Sequence, residues 1–385
     1  MMAEKMIKEL LASVGIGVNG SSPQDIRVLD ERFYRRLLRD KSLGLGESYM
    51  DGWWTCPRID EMIARIIRLR RKDRVAVGLR HLPALLGTLL RNPQSRRRAR
   101  IVAERHYDLG NDFFGAFLDP YRQYSCAFYA AQDFSLEEAQ LAKMDLICRK
   151  LELREGDRLL DIGCGWGGLA KFAAEHYGCR VTGVNISREQ LDFARGFCAG
   201  LPVDFVECDY RALHGTYDKI VSIGMFEHVG RRNYRTFMEV AHRCLKPDGV
   251  FLLHTIGGNH ATARCDPWIT DYIFPNGYLP SPAQTTRAAE PFFVLEDMHN
   301  LGPHYDPTLM AWNARFQEAW PRFRQTYGDR FKRMWEYYLL ACAGAFRARN
   351  IQLWQLQMTR RGSARPQPWS RQSTPRAVPE KYATR

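Results

Sequence analysis

The 385-residue chain has no long apolar run. Its longest, residues 82–90, falls far short of the roughly 20 residues a bilayer-spanning helix requires, so any membrane contact is expected from one side. The ten cysteines form no C-x-x-C pair, and their scatter from Cys56 to Cys342 fits neither a zinc site nor a compact disulfide framework. Reduced thiols in the cytoplasm, with no metal site, are expected. Residues 1–5 lead into a charged amphipathic helix and not into a secretory apolar core. No internal repeat is evident. Acidic residues are the scarcer sign: 43 Asp and Glu face 56 Lys and Arg, a net charge of +13.

That charge is uneven. The last 25 residues hold six Lys or Arg against Glu380, and Arg91, Arg96, Arg97, Arg98, Arg100 and Arg105 form a second basic cluster. Such a balance favours a polyanionic partner, nucleic acid or the phosphate face of a membrane, and charge alone does not choose between them. With 45% hydrophobic residues the chain can bury a full core, and its length calls for more than one domain.

Residues 3–14, 30–39 and 60–90 carry helical periodicity, and the Gly- and aromatic-rich stretch 44–54 reads as a turn region. These compose a small helical N-terminal domain over 1–87, followed by a basic linker at 88–105. From residue 155 the pattern alternates. Strands at 158–162, 180–184, 203–207, 219–223 and 250–255 are interleaved with helices at 168–177 and 188–199, and the turn Lys246-Pro247-Asp248-Gly249 precedes the last strand. This is the rhythm of an α/β fold with a doubly wound, Rossmann-like parallel sheet, placed in a catalytic domain over 106–362. The Arg-, Pro-, Ser- and Gln-rich tail, 363–385, is expected to be disordered.

Gly163, Gly165 and Gly167 lie between the apolar strand that ends in Asp161 and a helix. Glycines there let the backbone approach a ligand at the carboxyl edge of the sheet. The spacing G-x-G-x-G differs from the dinucleotide G-x-G-x-x-G, and an acidic residue beside the loop suits the cationic end of S-adenosylmethionine better than a pyrophosphate. The second strand ends in Asn185-Ile186-Ser187 without the usual ribose-binding carboxylate. The amides of Asn185 or Gln190, or Asp209 after the third strand, are the alternatives.

Several separate stretches together resemble the S-adenosylmethionine-dependent mycolic acid/cyclopropane synthase family, and within it the cyclopropane-fatty-acyl-phospholipid synthases: residues 42–49 (SLGLGESY), 106–112 (HYDLGND), 123–127 (QYSCA), 160–168 (LDIGCGWGG), 226–230 (FEHVG), 254–257 (HTIG), 274–277 (FPNG) and 342–347 (CAGAFR). The resemblance covers nearly all of the chain to about residue 360, and the tail from Gly362 departs from it. It implies a class I methyltransferase domain, a homodimer, and transfer of a methylene group from S-adenosylmethionine to a cis double bond of a bilayer phospholipid. The protein would work on the inner face of the cell membrane, on an anionic surface, with no nucleic-acid partner.

The resemblance also implies residue roles. The donor would contact Tyr124, Ser125, Leu160, Asp161, Gly163, Cys164, Gly165, Trp166, Gly167, Asn185, Ile186, Ser187, Gln190, Asp209 and Tyr210. A bicarbonate ion would be held by the side chains of Glu227, His254 and Tyr305 and by the backbone of Cys126 and Ile256. Cys342 aligns with a cysteine marked as catalytic, although its apolar helix, 337–346, points to an inert buried thiol. A cationic intermediate would need a dry, aromatic pocket, for which Tyr124, Phe128, Phe274, Tyr278, Tyr305, Trp312, Tyr338 and Phe346 are candidates. The arginines at 65–74 and 91–105 are candidates for the lipid surface.

Competing readings remain at this stage. A nucleic-acid methyltransferase would share the donor loop and explain the charge, but base amino methylation calls for Asn/Asp-Pro-Pro-aromatic where this chain has Phe226-Glu227-His228. A methyltransferase of small soluble molecules would leave the helical domain idle. A non-catalytic lipid- or nucleic-acid-binding module would have no use for Glu227, His254 and Tyr305.

Overall fold

The computed structural model describes residues 2–73, 109–261 and 265–364. The expected linker at 88–105, the arginines at 74 and 91–105, the side chains of those at 70–71, and the tail beyond 364 lie outside the described residues. The chain divides into two compact units, one built from 1–92, 263–277 and 305–351, the other from 93–262, 278–304 and 352–385. The stretches 263–277 and 305–351, read above as part of a continuous catalytic domain, thus belong with the N-terminal segment. Many of their aromatic and aliphatic side chains, among them Trp268, Trp312 and Trp335, are buried.

The helical unit comprises α1 (Met2–Ala12), α2 (Arg32–Met50), α3 (Ile59–Asp73) and the later helices Pro267–Tyr272 and Arg324–Arg347, with most of Gly302–Ala319. A minimal antiparallel pair, β1 (Arg27–Val28) and β2 (Trp54–Thr55), ties its loops. α2 is two helical segments joined at Lys41, whose φ is 53°. Residues 44–50 are helical, in place of the turn expected there, and the reversal comes at Asp51-Gly52. The glycines serve close packing instead of chain reversal. A Cβ on Gly46 would fall inside the Trp268 indole, and one on Gly44 would meet the Arg36 carbonyl at 2.5 Å. On the same segment Glu47 accepts from Tyr272 Oη at 2.7 Å and pairs with Arg36 at 2.5 Å, and Trp54 Nε1 donates to Ser48 Oγ at 3.0 Å. The 42–49 motif is therefore an anchor for helix Pro267–Tyr272.

The second unit holds the sheet: β3 (Arg158–Ile162), β4 (Arg180–Asn185), β5 (Val203–Glu207), β6 (Tyr217–Ile223), β7 (Leu245–Gly258), β8 (Phe293–Asn300) and β9 (Ile351–Arg360). Their order is β5-β4-β3-β6-β7-β9-β8. The pairs β4/β5, β3/β4, β3/β6 and β6/β7 are parallel, and β8/β9 is antiparallel. The doubly wound sheet read from the sequence is present. Alternation along each strand feeds two apolar layers: Leu160, Ile162, Ile220, Phe251 and Leu253 pack in one, Leu159, Val181, Val221, Val250 and Leu252 in the other.

The expected turn at 246–249 is a bulge inside β7. Tyr217 faces Leu245 and Lys219 faces Val250, so the extra residues on β7 loop out, where Pro247 could not donate to the ladder anyway. Because β4 and β6 flank β3 on opposite sides, the strand order reverses there, and ligand crevices form outside the carboxyl ends of strands at such a point.

Gly46→Ala is expected to destabilise the helical unit by about 1–3 kcal/mol through overpacking against Trp268. A thermal melt of the full chain would show an earlier transition, and an unchanged melt would count against the anchoring role.

Candidate active site

The loop that follows β3 takes its shape from three left-handed glycines, with φ of 88° at Gly163, 55° at Gly165 and 81° at Gly167. At Gly163 a side chain is excluded twice over, since a Cβ would also meet Met225 Cβ and Cγ at 2.8 Å. Gly163 and Cys164 donate their N–H groups back to the Val184 carbonyl, which holds the loop onto β4. Trp166 Nε1 donates to Asn111 Oδ1 at 2.6 Å, and its ring lies 5.0 Å from Phe114, which in turn lies 5.2 Å from Tyr124. The 106–112 motif, so far as it is described, thus braces the glycine loop through Asn111.

Asp161 is buried at the root of this loop. Burial pushes its carboxyl pKa up to about 7, opposed by the positive charge of Lys143. A cation placed beside Asp161 would be met by a carboxylate that the fold itself leaves under-compensated.

Asn185 does not wait for a ligand. Its Oδ1 accepts from the N–H groups of Ile186 and Ser187, at 2.8 and 3.3 Å, and its Nδ2 donates to Gln190 Oε1 at 2.8 Å. Ser187 caps helix Arg188–Phe197 by accepting from Gln190 N. Asn185 therefore braces the end of β4, which leaves the Gln190 amide nitrogen as the donor at this edge. Asp209 accepts from the Arg211 N–H at 2.9 Å, and Tyr210 beside it is buried.

Next to the loop, across β6 and β7, lies a buried polar centre. Glu227 sits on the short helix Phe226–Val229 after β6, and His254 lies in β7 opposite Ile223. Glu227 Oε1 accepts from the Ile256 N–H at 2.6 Å, so that backbone donor is already engaged. Burial raises the Glu227 pKa to about 7, and its bonds to Ile256 and Thr255 act the other way.

His254 has no exposed surface, and burial with the charges of Lys143 and Lys150 holds its pKa well below the usual value. Gln355 Nε2, on β9, lies 3.3 Å from His254 Nδ1. With the Gln355 amide in this orientation its nitrogen donates, Nδ1 accepts and the neutral ring carries its proton on Nε2; the flipped amide would select the other tautomer. Among the described residues, Glu227 Oε2, His254 Nε2 and Gln355 Oε1 are all buried and have no hydrogen-bond partner. Buried polar atoms seldom stay so, and here a carboxyl and an imidazole N–H are both unspent.

Cys126 belongs to the same unit, its Sγ 3.8 Å from the Leu301 carbonyl past the end of β8. Tyr305 and Cys342 belong to the helical unit. The Tyr305 ring lies 4.6 Å from Phe346 and 6.0 Å from Trp312. The neighbouring residue, Asp306, is gripped by Arg347 through two bonds of 2.8 Å, and Arg347 also reaches Asp60 at 2.5 Å. Burial pushes the Cys342 thiol up to about 12, which leaves almost no thiolate near neutrality. Of the aromatic candidates, Tyr124, Phe128 and Tyr278 lie in the sheet unit, and Phe274, Tyr305, Trp312, Tyr338 and Phe346 in the helical unit.

Sequence reasoning passed over Gln123, Gln140, Lys143 and Gln355. The signal available for two of them was a helix, Leu136–Lys150, on which Gln140 and Lys143 share the apolar face with Leu136 and Ile147. Lys143 is fully buried and donates to Gln123 Oε1 and to Ser125 Oγ, and Gln140 Nε2 donates to the Ser125 carbonyl at 2.9 Å.

A pH dependence follows for the cationic donor expected at Asp161. The folded pKa is raised, so the group is neutral below about 7 and charged above it. Donor affinity should then rise as pH increases through about 7, by at most roughly tenfold per pH unit on the acid side. Calorimetric titration with S-adenosylmethionine checks this, and Asp161→Asn should flatten the profile. A profile unchanged by that substitution would remove Asp161 from donor binding.

Comparison with known proteins matches this geometry to a family. The profile described as mycolic acid cyclopropane synthetase matches residues 94–356. The cyclopropane-fatty-acyl-phospholipid synthase of Escherichia coli (strain K12) is 52% identical over 356 residues, covering 92% of this chain and 93% of that protein. The solved cyclopropane synthase MmaA2 from Mycobacterium tuberculosis is 34% identical with a TM-score of 0.64, over 67% of this chain and 97% of its own. The mycolic acid cyclopropane synthase CmaA1, solved with SAH and CTAB, is 36% identical with the same TM-score of 0.64 and the same 67% and 97% coverage. The chain belongs to the mycolic acid cyclopropane synthetase family of S-adenosylmethionine-dependent methyltransferases.

Proposed function

We propose that this enzyme adds a methylene group from S-adenosylmethionine across the cis double bond of an acyl chain in a membrane phospholipid, with bicarbonate as the base. The observation that carries the reading is the buried pair Glu227 Oε2 and His254 Nε2, both unpartnered among the described residues, beside the carboxyl edge that bears the glycine loop. The E. coli relative, 52% identical, supports the substrate class.

The alkene π pair attacks the sulfonium methyl carbon, and the S–CH3 bond breaks with its electrons going to sulfur. S-Adenosylhomocysteine leaves, and a cation remains on the neighbouring chain carbon. Loss of a proton from the new methyl group supplies the pair that closes the ring. No side chain need act as nucleophile, because the sulfonium carries the driving force.

The residues of the polar centre fit a small oxyanion. His254 is neutral and offers Nε2–H. Glu227, with its pKa raised to about 7, is a carboxylic acid on the acid side of that value and offers an O–H. Bicarbonate bound there supplies a base of low nucleophilicity next to the cation. Carried over from the family, the backbone of Cys126 and Ile256 adds to the set within this unit, and the Ile256 N–H would be shared with Glu227 Oε1. The Tyr305 hydroxyl, which the resemblance also implies, belongs to the helical unit, where the Arg347 grip on Asp306 steadies it.

The positive charge balance supports a seat on an anionic bilayer; the inner face of the cell membrane and a homodimer are carried over from the resemblance. Among the described residues no helix is long and apolar enough to cross a membrane. Of the arginines read as lipid contacts, Arg65 is engaged by Glu61 at 2.9 Å and by the Gly15 carbonyl at 2.8 Å, so the contact would fall to others.

The test is to incubate the protein with labelled donor and vesicles of unsaturated anionic phospholipid and to weigh the lipids. A gain of one CH2 per converted chain is expected, falling in carbonate-depleted buffer and as salt is raised. Transfer to RNA or to a soluble acceptor in its place would overturn the reading.

Cys342→Ser should keep turnover within about tenfold of the parent, since the thiol is protonated and the chemistry needs no covalent intermediate. Complete loss with donor binding intact would make Cys342 a reacting group.

A further inference from the structure

The helix Leu136–Lys150 begins at a capping box, Ser135 with Glu138, and turns Gln140, Lys143, Ile147 and Lys150 inward at helical spacing. Two lysines on a buried face are costly, since an ammonium loses its hydration there. Lys150 recovers part of that from Asp297 at 3.6 Å and lies 3.1 Å from His299 Nδ1. Lys143 has no carboxylate at ion-pair distance among the described residues. Its bonds go to two neutral groups, Gln123 Oε1 and Ser125 Oγ, the latter at 3.1 Å. Asp119, Asp161, Cys126 and Cys148 surround it at longer range. A methionine would fill the same space without the charge, so packing alone does not account for the ammonium.

Lys143 bears on the anion centre by two routes. Its hydrogen bond fixes Ser125, the residue before Cys126, while Gln140 from the same helix holds the Ser125 carbonyl. Its charge also reaches His254, as does that of Lys150. None of the groups of this unit expected to touch the anion is positively charged: His254 is neutral, Glu227 is neutral below about pH 7 and negative above it, and the backbone of Cys126 and Ile256 is uncharged.

We propose that Lys143 is a positioning residue for this reaction, whose buried ammonium supplies the positive potential that holds an oxyanion of bicarbonate size beside Glu227 and His254. The proposal rests on the bicarbonate reading above. Lys143 acts across a low-dielectric interior through Ser125 and through space, where a charge several ångströms away is weakly screened. Asp119 and Asp161 moderate the same field.

The experiment measures initial rates on the full-length enzyme with unsaturated phospholipid vesicles, in carbonate-depleted buffer with bicarbonate added back. Lys143→Met, Lys143→Gln and Lys143→Arg are compared with the parent, and donor affinity is read by calorimetry. At saturating donor the neutral variants should raise the bicarbonate concentration for half-maximal rate by roughly tenfold or more; donor affinity should fall by a smaller factor, because the Lys143 charge also opposes the raised Asp161 pKa; the arginine variant should stay near the parent. A parent rate indifferent to bicarbonate would sink the bicarbonate reading, and this proposal with it. A bicarbonate-dependent parent whose Met and Gln variants share its half-saturation would overturn the proposal alone. So would equal losses in Arg and Gln variants, which would mark the position as packing, and a loss confined to donor affinity, which would assign the charge to Asp161. Where the Met variant fails to fold, the Gln and Arg pair decides the same question.

Discussion

Charge buried without full compensation is the constraint around which the sheet unit is built. Asp161, Lys143, Glu227 and His254 are all buried, and each has a titration pushed toward its neutral form by desolvation. In an interior with no task these groups would be replaced by apolar ones of similar volume at no loss of stability. Here they converge on the carboxyl edge of β3, β6 and β7, where the strand order reverses. The apolar layers on both faces of the sheet, and the glycine loop held onto Val184, keep that edge rigid enough for the cost to be borne.

The helical unit meets a related problem with full pairing. Arg347 binds Asp306 and Asp60, and Arg58 binds Asp60 as well, so the buried carboxylates there are answered by guanidinium forks of fixed geometry. Paired in this way, the charges hold helices together and position Tyr305. The contrast with Lys143, whose partners are neutral, separates charge used for structure from charge kept available.

Much of the sheet was legible in the sequence, because period-two apolar strands, glycines at strand ends and helical stripes are local signals. The glycine loop, Asp161, Glu227 and His254 could be placed on the ligand edge by topology alone. Three features were not legible in this way. Gly44 and Gly46 looked like turn residues, since a glycine needed for close approach to Trp268 is indistinguishable in sequence from one needed for a positive φ. The helical unit gathers three distant stretches, and no local pattern reports long-range packing of that kind. Lys143 and Gln355 act through partners 18 and 101 residues away, so their roles appear only once Ser125 and His254 have been placed in space.

The strand order has a consequence for how the molecule comes into being. β9, the last strand among the described residues, lies between β7 and β8 and not at an edge. During synthesis β7 therefore offers an open row of backbone groups, and β8 has no neighbour, until residues 351–360 leave the ribosome and insert. Gln355, which lies against His254 Nδ1, travels on that strand. The nascent chain can thus assemble β3 to β7 early, yet it acquires a competent polar centre only in the final step of closing the sheet, so a prematurely terminated product would be not merely shortened but chemically unfinished and open to pairing with another copy.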